Sequence, residues 1–202
     1  MAARVTRSFR GRSLVVDNSA FQRGGHEIVR EQWLEALQDG RLYRTPILEL
    51  EVLYSARNAC EYVELREELE ALRPLQLSTA SVEAALIAQS ELAQHAAGFH
   101  RLAHQDYLIA AMAAAHGLGV LHYDADFDRI AEHSSLAFDS VWIAAAGALD
   151  TQPTDPLHPL RAAVTLALGQ FEAGRAREVL ERVLELVEEE LHADGLQPPG
   201  RP

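Results

Sequence analysis

The sequence predicts an α/β fold in which a parallel β-sheet is flanked by helices on both faces. Over residues 1–150, short apolar runs alternate with longer stretches whose apolar residues recur at helical spacing. Strands that are separated by helices pair in parallel, and a parallel sheet is buried on both faces. The predicted strands are Ser13–Val16, Leu42–Arg44, Leu75–Leu77, Gly119–His122 and Val141–Ile143.

The first strand leads directly into a helix. The apolar run Ser13–Val16 stops at Asp17, and a helix is predicted to open at Asn18. Ser19 and Gln22 have the spacing of a capping box, in which each side chain bonds a backbone N–H near the start of the helix. The first turn of this helix is therefore expected directly after the first strand.

The next two helices have clear end signals. Glu27–Gln38 carries its apolar residues on a helical period and stops before Gly40. After the second strand, Thr45 is a predicted N-cap and Pro46 a first-turn proline of a helix that runs to about Asn58. Four further helices are predicted, of which the third is alanine-rich and the last begins with aspartate caps: Glu61–Leu72, Ser81–His95, Asp106–His116 and Asp124–His133.

The composition changes after Asp150, so a helical C-terminal extension over residues 151–202 is predicted to follow the first domain. A single helical hairpin cannot bury its own apolar face, and we expect this one to dock on the first domain or on another chain. Its predicted parts are a proline-containing linker, Thr151–Pro159, two helices, Leu160–Phe171 and Arg175–His192, and a disordered end, Gln197–Pro202.

Charge and cysteine content exclude several classes of protein. Thirty acidic and eighteen basic residues leave a net charge of −12, which argues against a general nucleic-acid-binding surface. Every basic residue is arginine, and without lysine the chain is not a P-loop enzyme, a Schiff-base enzyme or a protein kinase. The single cysteine, Cys60, excludes an internal disulfide framework. With no membrane-spanning run of about 18 apolar residues, a soluble cytoplasmic protein is expected.

Three aspartates are expected at one edge of the sheet. Asp17 and Asp124 each follow a strand, and Asp106 heads a helix that should pack beside them. Ligands of such folds bind outside the carboxyl ends of the strands. Clustered carboxylates repel each other, so a divalent cation such as Mg²⁺ or Mn²⁺ is the expected counter-charge. Each aspartate taken singly could instead be only an N-cap, and helical period alone does not separate Glu51 from Glu49.

Four segments place an acidic residue in a recognisable local setting. In the first, a strand ends at Asp17 and a hydroxyl residue, Ser19, follows two positions later. The segments are Leu14–Ala20, Thr45–Arg57, Gln105–Ala111 and Leu121–Asp128. In this order and spacing they resemble the PIN-domain family, specifically the VapC-type ribonuclease toxins of bacterial toxin–antitoxin pairs. The resemblance implies a PIN-like fold for residues 1–150.

The resemblance also implies a Mg²⁺-dependent endoribonuclease, with Mn²⁺ as the alternative ion, in which metal-activated water attacks the RNA phosphodiester. In that family the functional glutamate starts a Glu-apolar-Leu-Tyr-Ser-Ala-Arg run, which assigns Glu51 rather than Glu49. Ser19 would support the first aspartate and Asp126 would reach the metal through water, although a solvated helix-start acid is the alternative for Asp126. The implied catalytic and metal-binding residues are Asp17, Glu51, Asp106 and Asp124.

The partners implied by the resemblance are an RNA substrate, a cognate antitoxin and a second copy of the chain. The antitoxin is expected to lie in an apolar groove between helices and to place an arginine among the carboxylates. Arginines near the first two motifs are candidate phosphate contacts. The alternative from another class is a catalytically silent PIN-like module that binds protein. A haloacid-dehalogenase-type phosphatase is disfavoured because Ser19 occupies the position where that family needs a second aspartate.

Overall fold

A five-stranded parallel sheet forms the centre of the protein. The computed structural model describes residues 9–150, and all elements named here lie in that range. The strands are β1 (Leu14–Val16), β2 (Leu42–Arg44), β3 (Arg73–Pro74), β4 (Gly119–His122) and β5 (Ser140–Trp142). Their order across the sheet is β3-β2-β1-β4-β5, and every neighbouring pair is parallel. The predicted α/β architecture is confirmed.

Seven helices among the described residues cover both faces of this sheet. They are α1 (Asn18–Phe21), α2 (Glu27–Gln38), α3 (Pro46–Tyr54), α4 (Ala59–Glu70), α5 (Thr79–His95), α6 (His104–Ala115) and α7 (Ala125–His133).

Strand β1 shows how the two faces are built. Leu14 and Val16 belong to an apolar cluster with Trp33 of α2, whereas Val15 belongs to a second cluster with Ile109 of α6. Alternate side chains of a strand point to opposite faces, and all three β1 residues are buried because helices cover both faces. Helix α5 packs against α6, and most of the α6 side chains from Asp106 to Ala113 are buried.

The third strand differs from its predicted position. It is Arg73–Pro74, not Leu75–Leu77. The Leu75 N–H still donates to the Arg44 carbonyl at 2.9 Å, but the chain then leaves the sheet, and Leu77 is 41% exposed. A proline can occupy this strand because β3 lies at the edge of the sheet, where one side needs no ladder hydrogen bond.

Two helix ends also differ from the predictions. The capping box of Ser19 with Gln22 is wrong: Asp17 caps α1, and its carboxylate accepts the Ser19 N–H at 2.9 Å. The helix expected to reach Asn58 ends at Tyr54, because the Asn58 side chain caps α4 instead. The Thr45 cap followed by a first-turn proline is present as predicted.

The C-terminal extension predicted over residues 151–202, with its linker, helical hairpin and disordered end, lies outside the described residues. The domain boundary after Asp150 therefore stays a prediction. None of the helices within residues 9–150 is long and apolar enough to cross a membrane.

Candidate metal centre

The candidate site lies at the carboxyl ends of β1 and β4, two strands that are neighbours in the sheet. Val16 pairs with Leu121, and the Asp17 N–H donates to the Leu121 carbonyl at 3.0 Å. Strand β2 lies on one side of β1 and β4 lies on its other side, so the strand order reverses at β1. In parallel sheets such a reversal of strand order opens a crevice that binds ligands. Asp17 and Asp124 both follow these strand ends.

Asp17 is held by Ser19. Both the N–H and the hydroxyl of Ser19 donate to Asp17 Oδ2, at 2.9 and 2.5 Å. The same hydroxyl oxygen accepts the Tyr123 N–H at 2.9 Å, so Ser19 connects the end of β1 to the end of β4. Asp17 is only 7% exposed. The Ser19 hydroxyl thus fixes one carboxylate oxygen of Asp17 and the backbone beside Asp124.

Three carboxylates form the tightest group among the described residues. Asp106, Asp124 and Asp126 each offer a carboxylate oxygen, and these oxygens lie within 4.8 Å of one another. Asp106 lies in the first turn of α6 and is buried, while Asp124 is exposed and caps α7 by accepting the Asp126 N–H at 2.9 Å. Asp126 is half-buried and lies 3.5 Å from Arg129. Asp126 therefore belongs to this group as closely as the two predicted ligands do.

Asp17 and Glu51 lie outside that tight group but face the same region. Burial is the largest cause of the raised pKa of Asp17, Glu51 and Asp106; in addition, the charge of Asp17 raises the pKa of Glu51 and Asp106, and the charge of Asp124 raises the pKa of Asp17. Glu51 in turn raises the pKa of Asp106. The four predicted acids, which come from four separate segments of the chain, thus influence one another electrostatically.

Most of the site's carboxylates have no arginine partner among residues 9–150, Asp126 with Arg129 being the exception. Burial is the largest cause of a rise in the pKa of Asp106 to about 7, followed by the charges of Asp17 and Asp124. Burial also raises the pKa of Asp17 and of Glu51, although the Ser19 hydrogen bonds oppose the rise at Asp17. Within residues 9–150, none of Asp17, Glu51 and Asp106 forms an ion pair with an arginine. A bound cation would supply the missing positive charge.

Two arginines near the first two motifs are engaged in the fold rather than open to phosphate. Arg44 bonds Glu49 and the carbonyl oxygens of Leu69 and Leu72. Arg41 bonds Glu35 and Asp39 and also the Arg12 carbonyl. Arg23 differs in having no acidic partner within residues 9–150. Its guanidinium lies 4.6 Å from the centre of the Tyr123 ring and donates to the Ser19 carbonyl at 2.9 Å.

One residue outside the predicted site makes polar contacts beside it. His122, the last residue of β4, is fully buried, and its Nδ1 accepts the Asp124 N–H at 3.1 Å. Burial lowers its pKa to about 4, so the ring is neutral near pH 7. The signal available in the sequence was a polar residue at the end of an otherwise apolar strand.

A family model for the PIN domain matches residues 15–133, from β1 to α7. Ribonuclease VapC18 of Mycobacterium tuberculosis (strain ATCC 25618 / H37Rv) is 35% identical over 136 residues, which cover 66% of this chain and 97% of that protein. Ribonuclease VapC51 of the same strain is 37% identical over 136 residues, covering 67% and 96%. Among solved structures, DNA-bound VapBC from Salmonella typhimurium superposes with a TM-score of 0.54 at 17% identity, covering 65% of this chain and 98% of that chain. The segment matched by the family model contains every predicted site residue.

Proposed function

This chain belongs to the PIN-domain family, and we propose that it is a metal-dependent endoribonuclease, the toxin of a toxin–antitoxin pair. The observation that carries the proposal is the crevice in which burial and neighbouring carboxylates raise the pKa of Asp17, Glu51 and Asp106, while none of these three has an arginine partner within the described residues. Two relatives that align over almost their whole length are named ribonucleases, which supports RNA as the substrate. We place this activity in the cytoplasm, where the free thiol of Cys60 stays reduced.

The donor set of the crevice suits a hard divalent cation. Carboxylate oxygens are the ligands that Mg²⁺ and Mn²⁺ prefer, and three of them lie within 4.8 Å of one another. When bound there, one or two such ions supply charge neutralisation at the phosphate and lower the pKa of water. The residues proposed to hold the metal are Asp17, Glu51, Asp106 and Asp124. Asp126 is proposed as a further contact of the metal, and Ser19 acts indirectly by holding Asp17.

The proposed roles of the site residues differ with their burial. Asp106 and Asp17 are buried and anchored by their elements, so they form the rigid floor of the site. Asp124 is exposed and marks the side from which a phosphodiester can approach. Arg23 lies beside this side and forms no ion pair within residues 9–150. We propose that its guanidinium donates to an RNA phosphate, which would offset the acidic character of the protein.

The function is tested with purified full-length protein, a synthetic RNA mixture and either Mg²⁺, Mn²⁺ or EDTA. We expect cleavage with Mg²⁺ or Mn²⁺ and none with EDTA. Asp17→Asn should abolish cleavage while circular dichroism and the unfolding temperature show a folded protein. Cleavage that persists in Asp17→Asn or in EDTA would contradict the assignment. A wild-type protein that binds a protein partner but never cleaves RNA would favour the catalytically silent binding module.

An exposed apolar surface on α3 and α4 is the proposed antitoxin site. Leu50 and Tyr54 of α3 are 73% and 92% exposed, and Tyr62 and Val63 of α4 are 43% and 53% exposed. Glu51 lies on the same helix as Leu50 and Tyr54, and we propose that a peptide on this surface extends an arginine toward the carboxylates.

A peptide of a candidate antitoxin encoded beside this gene should inhibit RNA cleavage. Leu50→Glu should weaken that inhibition at least tenfold, because an unpaired charge would be buried in the interface. Ile28→Glu is the matched control, because Ile28 is 60% exposed on α2. Full inhibition of the Leu50→Glu variant would contradict this location.

Helix α5 carries the surface proposed to contact a second copy of the chain. Val82, Leu86 and Ile87 are 36%, 62% and 56% exposed on this helix. Light scattering coupled to size exclusion should give the mass of a dimer for the wild type. Leu86→Arg should shift that mass toward the monomer, and a monomeric wild type would refute the dimer.

A further inference from the structure

A continuous chain of hydrogen bonds starts at the backbone N–H of Asp124. His122 is fully buried and uses both ring nitrogens: Nδ1 accepts the Asp124 N–H at 3.1 Å, and Nε2 lies 2.7 Å from the Ser140 hydroxyl oxygen. Ser140 donates its hydroxyl proton to Asp128 Oδ1 at 2.7 Å. The indole N–H of Trp142 donates to Asp128 Oδ2 at 2.9 Å.

The proton positions in this chain follow from the number of donors. Ser140 has one hydroxyl proton, and a carboxylate such as Asp128 can only accept it. The Ser140 oxygen must therefore accept from the Nε2–H of His122, which leaves Nδ1 without a proton. An unprotonated Nδ1 is the atom needed to accept the Asp124 N–H. Every contact of the chain is consistent with this one tautomer.

The same contacts hold the Asp124 segment from both sides. His122 is the last residue of β4 and precedes Asp124, whereas Asp128 follows it in α7. Ser140 of β5 forms hydrogen bonds with both His122 and Asp128. The His122 ring also packs 5.0 Å from Phe127 and 5.2 Å from Trp142, measured between ring centres, so it cannot rotate freely. Asp124 itself is exposed, and its backbone is fixed from below by this network.

We propose that His122, oriented by Ser140 and Asp128, is a positioning residue that sets the direction of the Asp124 carboxylate toward the metal. The inference rests on the proposed function only in taking Asp124 as a metal ligand. His122 is not a proton-transfer group in this proposal, because it is fully buried and both ring nitrogens already have partners. Groups that orient metal ligands in this way typically contribute about 10–100-fold in metal affinity.

The first test measures Mn²⁺ affinity by calorimetry on the full-length protein. His122→Phe removes the acceptor for the Asp124 N–H, and we expect at least about tenfold weaker Mn²⁺ binding. His122→Asn is the matched rescue, because its side-chain oxygen can take the place of Nδ1, and its affinity should stay within about threefold of wild type. Equal losses in the two variants at equal unfolding temperature, or wild-type affinity in His122→Phe, would overturn the proposal.

A second variant and an NMR spectrum keep the proposal testable if His122→Phe does not fold. The nitrogen shifts of His122 in the metal-free wild type should show a protonated Nε2 and an unprotonated Nδ1. Ser140→Ala removes the Nε2 partner and should give a mixture of tautomers with several-fold weaker Mn²⁺ binding. A protonated Nδ1 in the wild type refutes the network. Failure of the ribonuclease function looks different: the wild type would bind Mn²⁺ but leave RNA intact.

Discussion

The guanidinium Nε of Arg44 lies 2.5 Å from Oε1 of Glu49, and this ion pair distinguishes two glutamates that are two residues apart on α3. Arg44 also donates to the carbonyl oxygens of Leu69 and Leu72, so Glu49 is tied to the end of α4. Glu51 forms no ion pair within residues 9–150, and burial together with the charge of Asp17 raises its pKa. Glu49 therefore has a structural role through its ion pair with Arg44, whereas Glu51 belongs with the carboxylates of the crevice.

The first prediction compares these two glutamates. Glu51→Gln should reduce metal-dependent RNA cleavage by at least 100-fold, because a charged ligand is lost. Glu49→Gln should keep cleavage within about twofold but lower the free energy of unfolding by about 1–2 kcal/mol, because the half-buried Arg44 loses its anionic partner. RNA cleavage and urea unfolding of both variants check this, and the opposite pattern would assign the site to Glu49.

The second prediction concerns the pH dependence of the metal-free protein. The folded-state pKa of Asp106 is raised from 3.8 to about 7, first by burial and then by the neighbouring carboxylates. The folded state therefore binds more protons than the unfolded state between these values, and stability is lost as the pH rises from about 4 to about 7. Asp106→Asn removes the charge, so in EDTA it should be more stable than wild type at pH 8 by about 2 kcal/mol and similar near pH 4.

Urea unfolding at both pH values checks the Asp106 prediction, and Mn²⁺ provides its control. Saturating Mn²⁺ should stabilise the wild type at pH 8 by about 2–3 kcal/mol at 100 times the dissociation constant. Asp106→Asn should gain far less from Mn²⁺ because a ligand is missing. If the variant is no more stable than wild type in EDTA at pH 8, the charge repulsion inferred for this site is wrong.

The third prediction concerns Glu68, a half-buried acid of α4 that lies outside the proposed metal site. Burial and then the charge of Glu64 raise the pKa of Glu68 on α4 to about 7, and Glu68 Oε2 has no hydrogen-bond partner within the described structure. Its contribution to stability is likewise lost as the pH rises toward 7. Glu68→Gln should raise the free energy of unfolding at pH 8 by about 1 kcal/mol, a value reduced for solvent screening.

The Glu68→Gln variant should keep both Mn²⁺ affinity and RNA cleavage, unlike Asp106→Asn. Glu67→Gln is the exposed neighbour on the same helix and should leave stability within about 0.5 kcal/mol of wild type. Thermal unfolding at pH 5 and pH 8 distinguishes the two. A loss of cleavage in Glu68→Gln would mean that α4 takes part in the reaction.

The fourth prediction tests the link that Ser19 makes between β1 and β4. Ser19→Ala removes the hydroxyl that donates to Asp17 and accepts the Tyr123 N–H. We expect a loss of about 1–3 kcal/mol in unfolding free energy, because a half-buried N–H is left unpaired, and at least tenfold slower cleavage. Ser19→Thr keeps the hydroxyl and should retain most of both properties. Normal cleavage by Ser19→Ala would show that Asp17 needs no such support.

Local patterns in the sequence were sufficient for most elements of the fold. The alternation of apolar runs and helical periods predicted the parallel sheet, and Thr45 with Pro46 located the start of α3. The prediction failed for β3, because the apolar pair Leu75 and Leu77 resembles a strand although the ladder forms at Arg73 and Pro74. It failed at Ser19 because the hydroxyl bonds Asp17 and Tyr123, and the second of these residues is far away in the chain.

The sequence by itself determined which strand ends carry carboxylates, since each aspartate lies directly after or close to an apolar run. The tertiary structure alone decided that Glu49 pairs with Arg44, that Asp126 joins Asp106 and Asp124, and that both ring nitrogens of His122 have hydrogen-bond partners. Local periodicity depends on neighbours within one element. These three outcomes depend on distances between side chains of different elements, or on a side chain's exact direction within one helix, and such distances exist only after the elements have packed.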